Sequence, residues 1–291
     1  MGPDERAESQ APERLNGLRG VPGTRGRILV IEDNAVNQLV AVGVLEGFGY
    51  TVVMADDGAA GVTVVAEDLT GFDAILMDCQ MPVMDGYDAT RAIRAMTTAG
   101  SRIPIIAMTA GAEYAERQRC LDSGMDDYLL KPVDVVLLAT TLDRWILAPA
   151  TATAVPSAQS SAKHDESSGE LGALDRSRLE DLLESGAADL ALLSKILDRF
   201  GSRADDALME LAAAVRADDA DEVSRLAHSL RGGAANVGLV RLAVLCEAIE
   251  LKANRGELPP ASTLFRIEDE VAAGVEQLAS FAAEVSISPQ A

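Results

Sequence analysis

Five short apolar runs recur along the first half of the chain, each followed by a segment of helical spacing, and this alternation restricts the fold more than any other feature. The runs are Ile28 to Ile31, Tyr50 to Ala55, Ala74 to Met77, Ile103 to Met108 and Asp127 to Leu130. Apolar runs without polar alternation suit strands buried on both faces. Helices are expected between and after them: from an Asn34 cap to about Phe48, where Gly49 stops it, from Asp57-Gly58 to about Asp68, and from about Tyr87 to Met96. Two more are expected from about Ala112 to Asp122, with Gly124 as C-terminal cap, and from about Val133 to Leu147. Strands alternating with helices predict an α/β domain, a doubly wound five-stranded parallel sheet of flavodoxin-like type.

Polar residues stand at the ends of four of these strands. Glu32-Asp33, Asp78, Thr109 and Lys131 each follow an apolar run directly. Parallel strands point their carboxyl ends one way, so all four sites converge on one rim, where open parallel sheets bind ligands. An acid alone there can simply end a strand, and a lysine alone can be a solvated surface group; three acids, a hydroxyl and an ammonium at four separate strand ends form a more specific pattern. Clustered carboxylates repel and call for a cation, and Mg2+, hard and oxygen-seeking, is the expected one. Asp78 then serves as carboxylate nucleophile, Thr109 as donor to a transferred phosphoryl oxygen, and Lys131 as a second positive charge. Pro82, Asp85 and Gly86 supply a turn after Asp78, and the Lys131-Pro132 bond can be cis.

Residues 27–148 resemble a response-regulator receiver domain of two-component signalling, on the strength of Glu32-Asp33, Asp78 within MDCQMPVMDG, Thr109-Ala110 and Lys131-Pro132. The resemblance implies that Asp78 is phosphorylated and that Mg2+ is held by Asp33, Asp78 and the backbone carbonyl of Gln80, with Glu32 acting through water. It also implies that Thr109 and Tyr128 move together when the phosphoryl group arrives; ordinary partial burial is the plainer account of Tyr128.

Residues 149–170 are mostly Ala, Thr, Ser and Pro, the composition of a linker. Such a segment spans about 25 Å on average and at most roughly 70 Å stretched. Residues 1–26, rich in Gly, Pro, Arg and Glu, read as a flexible head. Beyond the linker, in residues 171–291, the strand pattern gives way to segments with helical spacing: about Asp175 to Glu184, Ala188 to Ala214, Ala220 to Asn236, Leu239 to Arg255 and Ala261 to Val285. These predict an all-α antiparallel helical bundle.

The third long segment carries AHSLRGGAANVG at 227–238. At 100° per residue Val223, Leu226, Ala227, Leu230, Ala234 and Val237 share one stripe, which is the core face. His228 lies about 140° from its centre and is expected to face solvent. Arg231 and Gly232 are its neighbours one turn on, the first able to neutralise a phosphate, the second leaving room for a partner. His164, the other histidine, falls in the linker without such surroundings. The segment resembles a histidine phosphotransfer domain, with Arg231 where lysine is more usual in that family.

The formal charge of -21 is spread evenly, with 18 acids against 8 bases in 27–148 and 22 against 12 in 170–291. No basic stripe is present for nucleic acid, and anionic membranes are disfavoured. Cys79, Cys120 and Cys246 are odd in number and unpatterned, which fits a reducing compartment better than a disulfide framework. A cytoplasmic protein without membrane insertion is expected. The combination implies a phosphorelay carrier without a kinase ATP-binding domain: Asp78 accepts a phosphoryl group from a sensor histidine kinase, and His228 exchanges it with this or another receiver, such as a downstream response regulator. A magnesium-dependent phosphate hydrolase using Asp78 and a non-catalytic docking module are the alternatives. Met1 and the short head suggest a free-standing protein rather than the detached tail of a hybrid kinase.

Overall fold

The computed structural model describes residues 23–96, 102–111, 114–146, 174–184 and 190–287. The expected linker and His164 lie outside these residues, as does all of the expected head but its last four positions. The described chain divides into two compact units, one around a sheet and one of helices.

In the first unit, β1 (Arg27–Ile31), β2 (Thr51–Ala55), β3 (Ala74–Asp78), β4 (Ile105–Thr109) and β5 (Asp127–Leu130) form one parallel sheet in the order β2-β1-β3-β4-β5. The helices between and after them are α1 (Ala35–Gly47), α2 (Gly58–Glu67), α3 (Gly86–Met96), α4 (Tyr114–Ser123) and α5 (Val135–Ile146). Each expected element is present, with ends shifted by one or two residues. β3 and β4 are buried throughout, as apolar runs covered on both faces require. Asp57 caps α2 by accepting from the Ala60 amide at 2.8 Å. Gly49 and Gly124 terminate α1 and α4 with φ of 92° and 100°, where a side chain would be strained. Buried Asp127 is not left unpaired: it accepts from Trp145 Nε1 at 2.8 Å and meets Arg144, which ties α5 to the foot of β5.

The remaining helices are α6 (Arg176–Glu184), α7 (Leu190–Arg216), α8 (Ala220–Asn236), α9 (Val240–Ala253) and α10 (Ala261–Ile287), of which α8, α9 and α10 lie wholly in the second unit. Asp219 caps α8 through the Glu222 amide at 3.0 Å. The stripe expected on α8 is the buried one: Val223, Leu226, Ala227, Leu230, Ala234 and Val237 are all buried. Gly233 lies within it, and a Cβ there would stand 3.6 Å from the Phe200 ring of α7, so a small residue lets the two helices approach. Among the described residues no helix is long and apolar enough to cross a membrane.

Candidate functional site

The sheet register places the polar strand ends on one rim. Ile31 pairs with Met77 and Asp78 with Met108, so Glu32 and Asp33 leave the sheet beside Asp78, and Thr109 pairs with Leu130 directly before Lys131. Carboxylate oxygens of Glu32, Asp33 and Asp78 lie within 4.8 Å of one another. Lys131 Nζ reaches between two of them, 2.7 Å from Glu32 Oε2 and 2.7 Å from Asp78 Oδ2. Glu32 and Asp78 are buried, and the Lys131 side chain is 10% exposed. Burial works against the ammonium, but Asp78 and then Glu32 outweigh it and hold the Lys131 pKa above its ordinary value. The Lys131-Pro132 peptide is cis.

Three carboxylates share one ammonium in this cluster. The donor set is all oxygen and hard, so the residues fit a divalent cation of the Mg2+ type. The Gln80 amide donates to Asp78 Oδ1 at 3.1 Å and fixes the turn after the strand.

Thr109 is buried, and its hydroxyl lies 3.3 Å from Glu116 Oε1, which also accepts from the Tyr87 hydroxyl at 2.7 Å. A hydroxyl has one hydrogen, so Thr109 must release Glu116 in order to donate elsewhere. Tyr128 is buried, with the Arg117 guanidinium 5.0 Å over its ring. Glu116 falls outside the strand-end pattern; it lies on the first turn of α4, seven residues after Thr109.

In the helical unit His228 is not fully solvent-facing as expected: its side chain is 16% exposed. The helical wheel locates the core correctly but says nothing of the flank, where α9 packs against α8 and brings Glu250 to the ring. Glu250 Oε1 lies 2.8 Å from His228 Nδ1. Arg231 stands as expected one turn on, with Nη2 3.2 Å from His228 Nδ1, and its Nε is 3.0 Å from Glu250 Oε2. Glu247 Oε1 sits 3.5 Å from Arg231 Nη1. A carboxylate at 2.8 Å from a ring nitrogen requires a proton between them. The Arg231 guanidinium, which can only donate, favours a lone pair on Nδ1 from 3.2 Å, but the shorter contact to the carboxylate favours Nδ1–H, the form that leaves the Nε2 lone pair for chemistry.

An acidic pocket with a bridging lysine at the rim of this sheet defines the first unit as a receiver. Residues 28–143 match the family model of the response regulator receiver domain, and residues 195–281 match that of the Hpt domain. The chain thus carries a receiver domain followed by an Hpt domain. It is 35% identical over 252 residues to the sensor protein GacS of Pseudomonas syringae pv. syringae, covering 84% of this chain and 26% of that protein. It is 33% identical over 243 residues to the virulence sensor protein BvgS of Bordetella bronchiseptica, covering 81% of this chain and 19% of that one. The chain thus spans about a quarter or less of these curated relatives. Among solved structures, it is 49% identical to the receiver domain of a sensor histidine kinase from Pseudomonas aeruginosa PAO1, which holds a magnesium ion in its active site cleft; the match covers 42% of this chain and 98% of that one at a TM-score of 0.39.

Proposed function

We propose that the chain carries phosphoryl groups in a His-to-Asp phosphorelay, with residues 27–148 as acceptor domain, 171–291 as phosphotransfer domain and 149–170 as the link between them. The observation that carries this reading is the Lys131 ammonium bridging Glu32 and Asp78 beside a cluster of three carboxylates. The Asp78 carboxylate attacks the phosphorus of a partner's phosphohistidine, the P–N bond breaks, and the imidazole leaves with the electron pair. Lys131 meets the charge growing on the transferred group, and Thr109 turns its hydrogen from Glu116 to a phosphoryl oxygen. Asp33, Asp78 and the Gln80 carbonyl, with Glu32 through water, would hold Mg2+, which would supply the charge neutralisation that lets an anion enter this acidic pocket. Movement of Thr109, with Tyr128 following into the space it vacates, would carry the change to the α3–α4 face through Tyr87 and Glu116.

At His228 the reaction runs through Nε2. The ring becomes cationic when it holds the phosphoryl group, and the Glu250 carboxylate on Nδ1–H stabilises that charge, while Arg231, one turn on, would have to turn from Glu250 to meet the group itself. A sensor histidine kinase as donor and a downstream response regulator as acceptor are the partners that this chemistry requires, and the short tether favours exchange between Asp78 and His228 with an effective concentration on the order of mM.

A phosphotransfer assay with labelled kinase tests the reading. Wild type is expected to take label on both residues, Asp78→Asn on neither if the route is internal, and His228→Gln on Asp78 only. No label on the wild type with any phosphohistidine donor, together with turnover of a small phosphate ester, would establish the hydrolase instead.

Magnesium supplies a second test that needs no partner. Mg2+ at 100 times its dissociation constant should stabilise the folded chain by about 2.7 kcal/mol. The rise in Tm is expected to vanish in Asp33→Ala and to be unaffected in His228→Gln. An equal rise in Asp33→Ala would place the ion elsewhere.

A further inference from the structure

Two thiols beside the receiver pocket take no part in phosphoryl transfer. Cys79 follows Asp78 directly and Cys120 lies on α4, yet their sulfurs are 3.7 Å apart, and both residues are 1% exposed. Both are free cysteines in an otherwise apolar core shared with Met77, Ile93 and Ala107. We propose that Cys79 and Cys120 form a two-electron redox site, closed to a disulfide by hydrogen peroxide, and that closing it slows phosphorylation of Asp78. The second half rests on the acceptor role given to Asp78 above.

Contact between the sulfurs leaves little to travel. A disulfide needs about 2.05 Å, so the two residues must approach by less than the diameter of an atom. Their burial selects the oxidant: a small neutral peroxide can enter, whereas a bulky disulfide reagent cannot. Attack begins at one thiolate, here that of Cys120. Its sulfur takes one oxygen from peroxide, giving a sulfenic acid and hydroxide, which is neutralised by the proton Cys120 released. The Cys79 sulfur then displaces the sulfenic oxygen as water. Two thiols and one peroxide become one disulfide and two waters, with sulfur oxidised and oxygen reduced.

Asp78 would feel the closure because the segment after it has no slack. The Cys79 amide donates to Met108 O at 3.1 Å, and its carbonyl accepts from the Gly86 amide at 3.2 Å. A Cβ on Gly86 would stand 2.1 Å from the Asp78 carbonyl oxygen. Drawing Cys79 toward α4 therefore displaces Asp78 against Lys131. It also ties down the helix whose Glu116 must release Thr109.

The test uses the full chain, treated with hydrogen peroxide, quenched with catalase, alkylated in denaturant and digested. The expected product is a peptide containing Cys79 joined to one containing Cys120, lighter by two hydrogens than the separate pair and parted by dithiothreitol. Cys246, whose thiol burial pushes up to about 12, should remain alkylated as an internal control. Labelling of Asp78 from a small acyl phosphate with Mg2+ should fall on the order of 10- to 100-fold on oxidation, since a misplacement of about 1 Å can cost 100-fold. The rate should return on reduction and be insensitive to peroxide in Cys120→Ser, or in Cys79→Ala should that variant fold poorly. Alkylation of both thiols after peroxide would overturn the redox site, and a joined peptide with an unchanged labelling rate would overturn the control of Asp78. Reduced protein that takes no label at all would instead refute the acceptor role, while the joined peptide would still decide the disulfide.

Discussion

Replacing Lys131 by methionine is expected to cost about 3–5 kcal/mol of stability, the usual result of removing one partner from a buried ion pair. Here the loss falls on two carboxylates at once, because Nζ lies 2.7 Å from both Glu32 and Asp78. Denaturant unfolding without divalent ions measures it directly. Added Mg2+ should restore part of the deficit, since a second cation can take over some of the neutralisation. Phosphoryl acceptance by Asp78 should still fall by about 100- to 1000-fold, as when one donor that stabilises transition-state charge is removed. The pH dependence has a definite sign. The folded pKa of Lys131 lies above its unfolded value, so its contribution is complete below about 10.4 and is lost only as pH rises through the folded pKa. The difference between wild type and Lys131→Met should therefore be flat from neutral pH to mildly alkaline pH and shrink only in strong alkali. A difference that disappears near neutrality would mean that the lysine is not charged in the folded pocket.

Loss of the Glu250 carboxylate is the second large effect. A hydrogen bond to a charged group contributes about 1.5–3 kcal/mol. That corresponds to roughly 10- to 150-fold in the population of phosphorylated His228. Glu250→Ala should show the full loss and Glu250→Gln a smaller one, because an amide oxygen can still accept from Nδ1–H without the charge. The nitrogen shifts of the His228 ring separate this from a mere packing defect. Wild type should show the proton on Nδ1, and Glu250→Ala a mixture of both ring forms with unchanged helix content. Full phosphotransfer activity in Glu250→Ala would show that the ring is oriented by other groups. The same substitution releases Arg231, whose Nε is 3.0 Å from Glu250 Oε2, so its added mobility at the phosphoryl site would deepen the loss.

Much of this is legible in the sequence alone. The strands end at Glu32, Asp78, Thr109 and Lys131 because apolar runs must be buried and charges must leave the sheet. Parallel pairing then forces their common rim. In α8 the stripe from Val223 to Val237 follows from a rotation of 100° per residue, and the structure buries all six of its members. Local pattern fixes which face of an element is turned inward.

It does not fix which residue of another element meets that face or its flank. Glu250 stands 22 positions beyond His228, Glu116 seven beyond Thr109 and Cys120 forty-one beyond Cys79. Each of these pairings depends on the packing of one helix against its neighbours, so no periodicity announces it. The sequence by itself determined the elements, their inward faces and the acids that share a rim. Tertiary structure decided the Lys131 bridge, the carboxylate on the histidine and the contact between two sulfurs, because side-chain neighbours across elements are set by interaxial distance and rotation, which only the packed chain defines.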